Sequence, residues 1–162
     1  MRSFLIATFV ASCALSARAE EKSDLAANMK GTKVSLERGI AASKAEGMPI
    51  SAKYEVENGK LQLSVYSAKG DAFSEVIVDH KTGKVAKSEP ITGGEDVTAA
   101  KSQNEAMSKA KTSLQAAVSK AVKANKGYKA VSATPSLKDG HPTADITLMK
   151  GTESKTVSEQ LD

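Results

Sequence analysis

SAKYEVENGKLQLSV, residues 51–65, sets two alternating runs on either side of Asn58-Gly59. Ala52, Tyr54 and Val56 alternate with Lys53, Glu55 and Glu57, and Leu61, Leu63 and Val65 alternate with Gln62 and Ser64. Successive side chains on a strand point to opposite faces, so each run has an apolar side and a polar side. Asn and Gly both accept positive φ, which a two-residue hairpin turn demands, so the stretch predicts a hairpin. Ile50 extends the first apolar set, and Lys69-Gly70-Asp71 predicts a second turn into a third strand, Phe73 to Val78.

A helix is predicted upstream. Ser35 suits an N-cap, Glu37 suits the positive end of the helix dipole, and Gly47 suits the stop. The same grammar returns further along. Ser35-Leu36 matches Ser113-Leu114, 78 residues on, and Gly47 matches Gly127. Asn58-Gly59 matches Asp139-Gly140, and Lys69-Gly70 matches Lys150-Gly151, both 81 residues on. Four matches in one order predict an internal duplication. Leu114, Val118, Ala121 and Val122 form a helical stripe in the second copy, and no Gly or Pro between Val97 and Lys126 stops its helix from starting well before Ser113. The expected fold class is α+β, each copy a helix packed on a three-stranded antiparallel sheet. Between the copies, Pro90 and Gly93-Gly94 predict a linker without regular structure. The expected organisation is a leader (1–19), a polar segment (20–32), a first unit (33–88), a linker (89–97) and a second unit with a long N-terminal helix (98–162).

The leader is read from Arg2, the apolar run FLIATFVASCAL (4–15) and Ala17-Arg18-Ala19, which together predict a signal peptide cut after Ala19. The run is short for a membrane span, which needs roughly 20 apolar residues. A periplasmic or secreted destination follows. VASC (10–13) also resembles a lipobox, but lipidation at Cys13 would leave a very short leader, and Ala19 is the better cut. The mature chain then has no cysteine, which removes disulfides, thiol catalysis and Cys-based zinc sites from consideration.

The precursor carries 23 Lys and Arg against 19 acids. Lysines are interleaved with acids, there is no Trp, and only three Tyr and three Phe are present. Single-strand nucleic-acid binding uses a basic groove with stacking aromatics, so no nucleic-acid partner is expected.

VIVDHKTGKV, residues 76–85, holds the sequence's most site-like cluster. An Asp opening a turn accepts backbone amides two residues on, and Gly83 supplies positive φ, so Asp79, Thr82 and Gly83 are read as a structural turn. Calcium and zinc need several convergent ligands, whereas this stretch offers Asp79 and His80 alone. Asp79 and His80 face no serine elbow either, so no catalytic residue, cofactor or metal is assigned and no enzyme is expected.

The capped Ser-Leu-Glu helix, MPISAKYEVENG, the hairpin and VIVDHKTGKV together resemble the PepSY domain over about residues 33–87. Residues 111–162 resemble it more weakly, with Gln160 where the first unit has Asp79. The resemblance implies a small extracytoplasmic α+β module without catalytic residues, of a family suspected of binding or inhibiting peptidases. A cell-envelope protein, a peptidase among them, is therefore the expected partner. Alternation puts Tyr66, Phe73 and Ile77 on the side opposite Leu63, Val65, Val76 and Val78, a possible protein-contact face. The competing reading is a periplasmic carrier of a small ligand or metal, using His80 and His141 with Asp79, Asp139 and Asp145.

Overall fold

The computed structural model describes residues 13–162, with side chains from residue 19 onward. Residues 4–12 of the leader's apolar run and the side chains of Cys13, Ala17 and Arg18 lie outside the described residues. Four α-helices and seven strands follow one another as α1 (Cys13–Met29), α2 (Leu36–Ala42), β1 (Met48–Glu57), β2 (Lys60–Lys69), β3 (Ala72–Val78), β4 (Val85–Ile91), α3 (Gly94–Lys109), α4 (Leu114–Ala124), β5 (Lys129–Lys138), β6 (His141–Lys150) and β7 (Glu153–Gln160). Among the described residues no helix is long and apolar enough to cross a membrane.

The architecture is α+β, but it is not built on two three-stranded sheets. All seven strands join one antiparallel sheet in the order β4-β3-β2-β1-β5-β6-β7. The first half contributes four strands, and β1 pairs with β5 through Ala52–Ala133 and Lys53–Ser132. Two separate sheets would each expose a strand edge there, and pairing them removes both. Strand bounds in the two halves lie 81 residues apart at β1/β5 and β2/β6. Both central strands also slip register at matching places, between Pro49 and Ser51 and between Ala130 and Ser132. Asn58 and Asp139 hold φ of 50° and 51° ahead of their glycines, the left-handed backbone that the hairpin turn requires.

The helix starts are tied down in the same way in both halves. Ser35 Oγ accepts from the Arg38 amide and Ser113 Oγ from the Ala116 amide. One residue pair before each cap donates to a carbonyl at the end of that half's third strand. Lys33 and Val34 reach His80 O at 3.0 and 3.2 Å, and Lys111 and Thr112 reach Leu161 O at 2.7 and 2.8 Å. These bonds divide the long helix expected from Val97 onward. The backbone at Ala110–Ser113 turns outward to meet Leu161, so α3 ends at Lys109 and α4 starts afresh at Leu114.

α2 and α4 lie side by side on one face of the sheet. Leu36, Ile40, Leu114, Val118 and Ala121 pack there over Leu63, Val65, Val76, Val78, Ile146 and Leu148, all buried. Each fully buried aliphatic side chain of this kind contributes about 1.5–3 kcal/mol. Gly39 permits the close approach of α2, because a Cβ there would lie 2.5 Å from Leu63 Cδ2.

Two segments read as irregular are ordered. The linker 89–97 is the end of β4 and the start of α3. Pro90 stands in an edge strand, where an amide facing away from the sheet can be missing without loss of a ladder bond. The polar segment 20–32 is largely α1, whose Leu25, Ala26 and Met29 join the core beside Val131 and Met149.

Candidate functional site

The face opposite α2 and α4 is where the expected contact residues lie. Register places Ser51, Lys53 and Glu55 of β1 across from Tyr66, Ser64 and Gln62 of β2, and Tyr66 and Ser64 across from Glu75 and Ile77 of β3. α3 crosses the middle of this face. Ala100 and Met107 are buried, and Ser51 Oγ donates to Gln103 Oε1 at 2.7 Å. The cover that sequence left unassigned is thus α3, flagged only by the sparse stripe Val97, Ala100, Asn104 and Met107. A recess of about 180 Å³ remains beside it, lined by Lys53, Tyr66, Asp96, Ala99, Gln103 and Thr134 among others.

The three expected contact residues differ in what they present. Phe73 is buried, its register neighbours being Ala68 and Ile91. Tyr66 and Ile77 are half-buried; Tyr66 borders α3 across the recess, and Ile77 lies farther out on β3. Around them is an ordered polar network. Lys53 Nζ pairs with Glu55 at 2.6 Å and stands 5.7 Å from the centre of the Tyr66 ring, while Tyr66 OH donates to Glu75 at 3.4 Å. Ser64, fully buried beneath these long side chains, accepts from Gln62 and donates to Glu55. Burial pushes the Tyr66 phenol up, with Lys53 opposing and Glu75 and Glu55 adding. Burial disfavours the Lys53 charge, yet the Glu55 hydrogen bond and the nearby Tyr66 hold its pKa above the ordinary lysine value. The flank therefore keeps its ammonium–carboxylate pair charged beside a neutral aromatic surface.

At the end of β3, Asp79 Oδ1 accepts the amides of Lys81 and Thr82, both at 2.8 Å, and Gly83 N donates to Asp79 O with φ of 78° at Gly83. The amides of Thr82 and Lys81 hold the Asp79 carboxyl below its ordinary value. Arg38 Nη2 reaches Thr82 O, joining this turn to α2.

The histidines and acids of the carrier reading do not form one set: Asp139 and His141 line an open hollow at the β5–β6 turn with Lys138 and Glu159, and Asp79 and His80 lie at the end of β3. His80 lends its backbone carbonyl to the α2 start, whereas His141 Nδ1 meets Asp162 at 2.6 Å beside the β7 end. Asp145 pairs with Lys138 at 2.7 Å and receives Ser158 Oγ–H, and these contacts lower its pKa. No three His, Cys, Asp or Glu side chains converge on one point among the described residues. A separate hollow of about 270 Å³ lies between α1, α2 and α4, lined by Met29, Val34, Tyr54, Val122 and Ala130 with Lys33, Glu37 and Lys129 at its mouth. Tyr54 OH donates to Val34 O across it at 2.5 Å.

No family model, curated protein or solved structure matches this chain, so the likeness to PepSY rests on the residues of 33–87 themselves.

Proposed function

We propose that this chain is an exported, non-catalytic PepSY-like protein, its unit present twice, that binds a cell-envelope protein, a peptidase by preference. The observation that carries this reading is the flank of the sheet beside α3, where Tyr66 and Ile77 stand half-buried in a fixed polar network. An aromatic ring with a polar rim is a surface that gains from covering, since the apolar area is lost to water while the rim retains hydrogen-bond partners. The PepSY likeness of residues 33–87, the repeated helix caps and the repeated turns support the assignment of the unit. Carboxylates outnumber ammonium groups around the flank: Glu55, Glu75, Glu89 and Asp96 against Lys53 and Lys87. The matching partner surface is basic, and association slows as salt rises.

The test is titration of the processed protein into purified secreted and periplasmic peptidases, reading both binding and residual activity. Tyr66→Ser with Ile77→Ser should abolish binding while the melting curve changes little. Retained binding in that double variant, or no binding to any peptidase by the parent protein, would remove the reading.

A further inference from the structure

The sheet has two outer strands, and they are built differently. β4 is interrupted by Pro90 and by a register shift opposite Ile77–Val78, both features that discourage a further strand. β7 has neither. Its eight residues pair with β6 without a slip from Glu153–Lys150 to Gln160–Thr143, and among the described residues β6 is the only strand beside it. Glu153, Lys155, Thr156, Ser158 and Gln160 are exposed.

The charges along β7, ESKTVSEQ, complement themselves when the strand is reversed. An antiparallel copy centred on Val157 sets Lys155 opposite Glu159 and Glu159 opposite Lys155. The same register sets Thr156 opposite Ser158 twice, Ser154 opposite Gln160 twice, and Val157 opposite itself. Directly opposed residues of an antiparallel pair share a face, so both charge pairs form on the Val157 side, the side of α4. Lys120 of α4 already stands 2.5 Å from Glu159 and leaves that carboxylate, only 14 % exposed, flanked by positive charge. The lysine that would normally repel an incoming strand here meets its own counter-ion.

We infer that β7 is a self-association edge, and that two copies of this chain join β7 to β7 about a two-fold axis at Val157, making one continuous fourteen-stranded sheet. A two-fold contact of one strand with itself is closed, so it ends at a dimer rather than growing into a fibre.

Sedimentation velocity of the processed chain over a range of concentrations tests this, with far-UV circular dichroism and melting curves as the check on folding. The parent protein should dimerise. Lys155→Glu alone and Glu159→Lys alone each replace two attractions by two repulsions, and each should weaken the dimer roughly tenfold or more. Mixing the two folded variants should restore association to near the parent value, because at positions 155 and 159 two acids of one strand then face two lysines of the other. That rescue is peculiar to an antiparallel register centred on Val157. A parent protein that stays monomeric throughout overturns the inference. So does a dimer unchanged by Lys155→Glu, singly altered chains that fail to rescue one another, or a dimer lost through Lys87→Glu on β4 instead.

Discussion

Residues 36–78 and 114–160 lay nearly the same helix and three strands twice, yet they dress the second face of those strands in different chemistry. Where the first half has Lys53, Ser64, Tyr66 and Ile77, the second, 81 residues on, has Thr134, Asp145, Thr147 and Ser158. Around Tyr66 the first flank carries an aromatic and charged network. Among the described residues the second carries no aromatic ring but a Lys138–Asp145 pair joined by Ser158, with hydroxyls bonded among themselves, Thr147 to Thr156 at 3.3 Å and Ser136 to Thr143 at 3.4 Å. On the helix-covered face the halves agree in character: Leu63 and Val65 stand where Ala144 and Ile146 stand, all buried. Packing of α2 and α4 holds the first face to aliphatic residues, whereas the second face, only partly covered by α3, differs between the halves.

Volume compensation inside the shared face gives the largest test. The first half sets Gly39 on the helix over Leu63 on the strand, and the second has Ala117 and Ala144 at the corresponding positions. Leu63→Ala should cost about 2–5 kcal/mol in denaturant unfolding, because it empties a fully buried site. Gly39→Ala drives a Cβ into Leu63 and should cost about 1–3 kcal/mol. The double variant recreates the second half's alanine pair and should cost clearly less than the sum. Simple additivity would show that the two halves do not trade volume at this point.

The caps sharpen the comparison at a smaller scale. Ser113→Ala and Ser35→Ala each lose one side-chain bond to a helix amide, and each should lower stability by about 1 kcal/mol. Equal losses would mean that the longer α4 and the shorter α2 depend alike on their starts. A negligible loss at Ser113 would assign the α4 start to the Leu161 contacts instead.

Acid should separate the halves next. Asp79 is held low by the Thr82 and Lys81 amides and Asp145 by Lys138 and Ser158, so both are ionised more readily in the folded chain than unfolded. Their stabilisation is complete above the unfolded carboxyl value, near pH 3.9, and is lost as pH falls through the lower folded values. Asp145→Asn should flatten the acid limb of the stability curve at low salt and matter less at high salt, since its main partner is an exposed ammonium. Asp79→Ala should flatten it at either salt level, its partners being uncharged amides.

The smallest stability effect belongs to the divergent face. Ile77→Ser should shift unfolding by about 0.5 kcal/mol, while its reciprocal Ser158→Ile, which also removes that hydroxyl's bonds to Lys138 and Asp145, should cost about 1 kcal/mol. Binding of a partner should respond to Ile77→Ser alone, and a response to Ser158→Ile would move recognition to the hydroxyl flank.

What could be read in advance follows the range of the interaction responsible. Asn58-Gly59, Asp139-Gly140 and the Asp79 turn are legible because backbone conformation and the nearest amides decide them. Leu63, Val65, Val76 and Val78 are legible as core because strand period is local. The β1–β5 junction is not, for nothing in Ala52 or Ala133 says which strand lies beside it. The place of α3 escaped for a related reason: a buried stripe of small alanines with Gln and Asn beside them carries little apolar signal, although Ser51 and Gln103 complete it on contact. β4 looked irregular because Pro90 excludes central strands while permitting outer ones. The fate of Phe73 was the costliest miss, since strand parity gives the face but not what covers it.

The width of the sheet bears on how its two uncovered regions can be used. Adjacent strands of a twisted sheet rotate by about 20–25° each, so the four steps from β3 to β6 turn the ribbon through roughly 80–100°. The aromatic region on one side of α3 and the hydroxyl region on the other are therefore tilted away from each other like the blades of a propeller. A flat or rigid object touching one of them cannot lie against the other at the same time.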